Sequence, residues 1–248
     1  MDTPLVYLIF GSPGSGRREI LSDLLEFGLE NGDRAVVFES SRELESGSEW
    51  SASKKLSTFS YEWKDDSLIL PEIDASDSDL FLLADVLTDP ADFIEFFFNW
   101  ISESEYQLAR IFTVVDCQLV ARTSKAIVWY DCCIHFSDVV LLNRRDGLFN
   151  KVVNDFIDRY RKQYYPCFFE MVKKGRVKNP SLILDPSPRR IARLFDDPEP
   201  IDDDDEEEDF SDDELTPGDP SKDPFLKRVA SGRRERVLPD MGQLLGNR

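Results

Sequence analysis

Two short stretches carry residue types and spacings suited to holding a phosphorylated ligand. The first is Gly11-Ser12-Pro13-Gly14-Ser15-Gly16-Arg17-Arg18. Glycines let a backbone turn so that successive N–H groups converge on phosphate oxygens, and a following helix N-terminus adds partial positive charge. Gly11, Gly14, Ser15, Gly16, Arg17 and Arg18 are therefore candidate phosphate-binding residues. The spacing follows the G-x-x-x-x-G-K-[ST] pattern as far as Gly16 and then departs from it. Arg17 stands where that pattern has lysine, keeping the charge in a bulkier, forked form. Arg18 stands where a hydroxyl would hold Mg²⁺, and a guanidinium cannot be a metal ligand. The same turn also reads as a strand–turn–helix scaffold that holds no nucleotide. The second stretch is Asn143-Arg144-Arg145-Asp146. A carboxylate placed like Asp146 accepts two hydrogen bonds from the N1–H and N2–H₂ edge of guanine, a donor pair that adenine lacks. Asn143 and Asp146 are the candidate base-binding residues, although N-R-R-D alone also fits a solvated turn.

The elements that must position these loops follow from the apolar pattern. Leu5–Phe10 is a continuous apolar run, as in a strand buried on both faces, and it leads directly into the first loop. A helical pattern follows, with Ile20, Leu21, Leu24, Leu25 and Phe27, and Asn31-Gly32 ends it. Further strands are expected at 35–38, 80–84, 111–115 and 139–142, with a last one at 182–184. Helices are expected at 90–105, 121–136 and 149–163. Residues 39–78 are polar and Ser-rich, with Trp50, Tyr61, Trp63 and Leu68–Leu70 standing out. Strands alternating with helices predict a three-layer α/β fold with a mostly parallel sheet, of the P-loop NTPase class. In such folds ligands sit at the C-terminal ends of the strands, where both candidate loops fall.

The order and spacing of four segments resemble the CobW-like metallochaperone GTPases, relatives of the HypB and UreG proteins. Leu5–Leu25 resembles their strand, phosphate loop and first helix. Leu83–Pro90, ending Leu-Thr-Asp-Pro, resembles their switch segment. Thr113-Val114-Val115-Asp116 resembles their T-V-V-D strand, and Ile134–Leu148 resembles their I-x-F-A-D-x-x-L-L-N-K-x-D-L segment. The resemblance covers about residues 4–195 and implies guanine-nucleotide binding, with GTP as the expected ligand. Its departures imply weak or absent hydrolysis. Leu83 occupies the switch glutamate position and Val86 the switch glycine, leaving Asp85 as the nearest acid for a metal. With Arg18 in the hydroxyl position, Mg²⁺ is expected to bind weakly or not at all. The family's C-x-C-C metal motif has no counterpart, since residues 39–80 contain no cysteine. The alternative is a pseudo-GTPase, an interaction scaffold that binds no nucleotide.

Composition narrows the partners. The 248-residue chain has a formal net charge of −19, which argues against non-specific binding to nucleic acid or to an anionic membrane surface. No apolar run approaches the ~20 residues of a spanning helix. Met1-Asp2-Thr3-Pro4 has no basic region, so no secretory leader is expected. Four cysteines are too few for a disulfide scaffold, and a reduced cytoplasm is the expected setting. Cys132-Cys133-Ile134-His135 is the one candidate metal cluster. Neighbouring cysteines diverge on a helix, so these are read as buried small side chains and no metal site is assigned. No catalytic residue is assigned either.

Residues 1–195 form the expected nucleotide-binding domain. Residues 196–248 hold 18 acids against 7 bases, including an unbroken acidic run from Asp202 to Asp209. Such a density of like charge predicts a disordered acidic tail over 196–223. Residues 224–248 hold six bases and two acids with a few apolar positions, and read as a frayed terminus rather than a short docking segment. A protein partner, if there is one, is expected to engage the acidic tail or this basic segment.

Overall fold

The computed structural model describes residues 3–29, 34–44, 50, 56–64, 67–71, 78–197 and 217–246. The strands are β1 (Leu5–Gly11), β2 (Arg34–Ser40), β3 (Leu56–Lys64), β4 (Ser67–Ile69), β5 (Ser78–Leu83), β6 (Gln107–Asp116), β7 (Val139–Asn143) and β8 (Phe168–Met171). The helices are α1 (Arg17–Phe27), α2 (Ser41–Leu44), α3 (Pro90–Glu103), α4 (Cys117–Arg122), α5 (Ser124–His135), α6 (Asn150–Arg161), α7 (Pro180–Leu184) and α8 (Met241–Gly246). The strands form one sheet in the order β4-β3-β2-β5-β1-β6-β7-β8. Among the described strands, the β3–β4 hairpin is antiparallel and the other pairings are parallel.

The apolar run of β1 serves both faces of the sheet, as its continuity requires. Val6, Leu8 and Phe10 point into a core shared with α3, α4, α5 and α6, while Tyr7 and Ile9 point into a second core under α1 and α7. This is the predicted three-layer α/β architecture of the P-loop NTPase class. Helix α3 starts where Asp89 caps it, its carboxylate accepting from the Ala91 N–H, with Pro90 in the first turn. Its aromatic face fills the larger core, Phe93 meeting Phe10, Tyr61 and Trp63.

Three assignments differ from the sequence reading. Helix α1 ends at Phe27, with the Gly28 N–H closing on the Leu24 carbonyl, short of the expected Asn31-Gly32. The expected strand at 182–184 is part of helix α7, and the sheet instead ends on β8 at Phe168–Met171. Pro180 opens α7, and only Ile183 and Leu184 turn inward, leaving Leu182 half exposed, as a single helical turn does. The weakly patterned region contains β3, whose Phe59, Tyr61 and Trp63 alternate inward along a strand near the sheet edge. The Tyr61 hydroxyl donates to the Leu83 carbonyl at 2.7 Å.

The C-terminal segment also departs from expectation. The expected disorder over 196–223 falls mostly outside the described residues. Residues 217–246, however, fold back on the domain and are not frayed. Phe225, Leu226, Leu238 and Met241 are buried in the core that holds α3 and α5. His135 and Asp223, both buried, meet at 2.8 Å, and the Arg236 guanidinium lies 4.4 Å from the Phe225 ring centre. Arg234 bridges to Asp92 at 2.8 Å and to Glu95 at 2.5 Å on α3. The basic residues of this segment thus act as intramolecular partners for acids of the first turns of α3.

Candidate functional site

The loop from β1 to α1 is held in shape from several sides. The Ser15 N–H donates to the Ser12 carbonyl at 3.0 Å and closes the turn. Gly16 lies in the left-handed region at φ 92, and a Cβ there would sit 2.5 Å from the Asn143 side-chain nitrogen. Only glycine satisfies both conditions. Helix α1 then begins with no side-chain cap, so its first-turn N–H groups face outward with the positive end of the helix dipole. Within the loop the Ser15 hydroxyl is buried against Gly11 and has no hydrogen-bond partner. Tyr130 of α5 props the loop from below: its hydroxyl donates to Ser12 Oγ at 2.9 Å and accepts from the Asp116 N–H. Burial pushes the Tyr130 phenol up, so it remains a donor.

The two loop arginines are held by acids. Arg17 is buried, its guanidinium donating to the carbonyls of Ala84 and Ile9 and pairing with Glu43 of α2 at 2.5 Å. Arg18 pairs with the buried Glu39 at 2.8 Å and reaches the Glu43 carbonyl. Trp50 donates to the other oxygen of Glu39. Both cations are thereby matched by carboxylates from the end of β2 and from α2.

The second loop meets the first directly. Asn143, at the end of β7, donates from Nδ2 to the Ser15 carbonyl at 2.8 Å. Arg144, at φ 53, donates from Nε to the Gly14 carbonyl at 3.2 Å. Arg145 reaches across to the Val172 carbonyl beyond β8. Asp146 is exposed; Gln118 of α4 fixes its backbone carbonyl at 3.1 Å. The structure thus brings Gly11, Gly14, Ser15, Gly16 and Asn143 into one constellation; Asp146 follows on the same turn and is exposed. Arg17 and Arg18 extend from it toward Glu43 and Glu39.

The switch segment offers little to a metal. Asp85 accepts from the Ser40 hydroxyl and from the N–H groups of Leu87 and Thr88, and Arg42 stands 3.9 Å away. Its oxygens are committed to the turn that leads into α3. With Arg18 in the hydroxyl position, the residues present do not fit an Mg²⁺ ion. Asp116, from the T-V-V-D segment, caps α4 through the Leu119 N–H. Cys132 and Cys133 are wholly buried, which raises their thiols well above the usual range. No group of three or more His, Cys, Asp or Glu side chains converges to hold a metal among the described residues.

Sequence reasoning missed Glu39, Glu43 and Tyr130. Glu39 had a readable signal, an acid closing the otherwise apolar run Ala35–Phe38. Such an acid, buried at a strand end, needs a cation nearby. Tyr130 sits amid the apolar face of α5 and gave no such mark.

No family model matches the chain, and no curated protein matches it. Among solved structures it is similar to a Zn(II)-bound triple mutant of the YjiA GTPase, at 14% identity and a TM-score of 0.45. It is also similar to the Zn(II)-bound YjiA GTPase from E. coli, at 15% identity and a TM-score of 0.41. In both cases the match covers 76% of this chain and 67% of the other. At these scores the likeness carries no functional argument. No described helix is long and apolar enough to cross a membrane.

Proposed function

We propose that the chain is a CobW-like guanine-nucleotide-binding protein with weak or no GTP hydrolysis. The observation that carries this reading is the Asn143–Ser15 hydrogen bond, which joins the base-type segment to the phosphate-type loop. In this reading the exposed Asp146 carboxylate accepts from the guanine edge, and backbone N–H groups of the loop other than that of Ser15, with those at the start of α1, donate to phosphate oxygens. The uncapped start of α1 adds its dipole.

Hydrolysis needs charge stabilisation around the terminal phosphoryl group. Arg17 and Arg18 already carry carboxylates, Asp85 is engaged, and Val86 replaces the glycine whose N–H would face that group. These residues support binding without efficient turnover. The same ion pairs favour a second reading, a pseudo-GTPase scaffold that binds no nucleotide and acts through a protein partner. Calorimetric titration with GDP, GTP and ATP, with and without Mg²⁺, separates the two. Guanine nucleotides binding while ATP does not supports the first; no heat from any of them supports the second.

A further inference from the structure

The sheet order sets a direction for any ligand in this site. The base-type segment lies at the end of β7, the phosphate loop follows β1, and β5 and β2 lie on the far side of β1 from β7. A nucleotide with its base near Asp146 and its phosphates at the start of α1 therefore extends its last phosphate toward β5 and β2. That is where Arg17 is directed: its guanidinium spans the Ile9 carbonyl of β1 and the Ala84 carbonyl just beyond β5, and ends on Glu43 just beyond β2.

We infer that Glu43 takes, with its carboxylate, the place of a third phosphate on Arg17, so that the site selects guanosine diphosphate over the triphosphate. This rests on the nucleotide reading above. A carboxylate and a phosphoryl group compete for the same guanidinium because each presents an oxygen pair to its planar fork. Among the described residues, the arginines around this carboxylate already face acids. Arg18 is paired with Glu39 at 2.8 Å, and Arg42 stands 3.9 Å from Asp85. Arg17, Arg18 and Arg42 are thus balanced by Glu43, Glu39 and Asp85. Phosphates nearer the base avoid this competition, since the backbone N–H groups of the loop and the start of α1 meet them. A third phosphate must first break the Arg17–Glu43 pair and then lie beside the released carboxylate.

The test is calorimetric titration of the full chain with GDP, GTP and ADP at fixed ionic strength. Wild type is compared with Glu43→Gln and, as a control for the base, Asp146→Asn. GDP is expected to bind wild type about tenfold or more tighter than GTP, the scale of one charge-assisted contact. In Glu43→Gln, GTP should gain about tenfold while GDP changes by less than about threefold. Should Glu43→Gln not fold, as judged by its melting curve, Glu43→Asp, with the carboxylate drawn back by one methylene, should give a smaller gain for GTP alone. Equal affinity of wild type for GDP and GTP, or an unchanged ratio in the folded variants, overturns the inference and leaves guanine binding standing. Binding of neither nucleotide to wild type, or binding of ADP as tight as GDP, overturns the nucleotide reading and the inference with it.

Discussion

The two ends of the candidate site are built on opposite electrostatic principles. At the β7 end, Asn143 and Arg144 are latched to the β1–α1 loop while Asp146 is exposed. At the β5 and β2 end, each described arginine faces an acid: Arg17 with Glu43, Arg18 with Glu39, and Arg42 near Asp85. One end is held by side-chain hydrogen bonds to loop carbonyls, the other by ion pairs.

The strongest way to break this contrast is at Asp146. Asp146→Asn should weaken guanine nucleotides by about 100-fold or more and leave adenine nucleotides unchanged, because one acceptor of the pair becomes a donor. Calorimetry reads this directly; an unchanged GDP affinity would remove the base-recognition end from the account.

The next effect bears on what supports the β5 side. The C-terminal segment grips α3 immediately after the switch turn, through Arg234 on the acids of that helix and Phe225 in the core. Phe225→Ala should destabilise the domain by about 3–5 kcal/mol, as a large cavity in a packed core does. A melting temperature within a degree or two of wild type would mean that this segment is not part of the folded unit.

A smaller effect tests the join between the two ends. Gly16→Ala puts a methyl group against Asn143 at a left-handed backbone position, a strain of about 1–2 kcal/mol. Chemical denaturation should show that loss together with weaker binding of all nucleotides, since the loop must open to relieve the contact.

The smallest effect concerns two buried thiols, Cys117 at the start of α4 and Cys167 just before β8. Burial pushes the Cys117 and Cys167 thiols from 9.0 up to about 12. A raised value means that the folded chain holds these protons more tightly than the unfolded one. Their contribution to stability is therefore intact below pH 9 and is lost as pH rises toward 12. Urea midpoints recorded across that range should fall, and both thiols should resist alkylation at pH 8 in the native protein.

Much of this arrangement was legible in the sequence. The continuous apolar runs of β1, β5, β6 and β7 announced a doubly covered parallel sheet, and the glycines of the first loop fell between a strand and a helix as they had to. Edge strands were harder. In β3 the period-two pattern of Phe59, Tyr61 and Trp63 is diluted by serines and exposed positions, and β8 is a four-residue strand after a proline. The end of the chain misled for another reason. Composition averaged over its length is acidic, yet Phe225, Leu226, Leu238 and Met241 find a core to enter, and Arg234 finds acids on α3. The direction taken by Arg17 and Arg18 was not legible at all, because it depends on carboxylates brought from β2 and α2 by the sheet order.

The central claim is that a guanine nucleotide lies between the Asn143–Asp146 turn and the loop from Gly11 to Arg18. It is tested most directly by following backbone amide resonances during titration with GDP. The account predicts shifts concentrated at Gly14, Ser15, Gly16, Arg17 and Arg18 and at Arg145, Asp146 and Gly147, with ADP leaving the second group unmoved. Saturating GDP that moves neither group, or ADP that moves both equally, would contradict it.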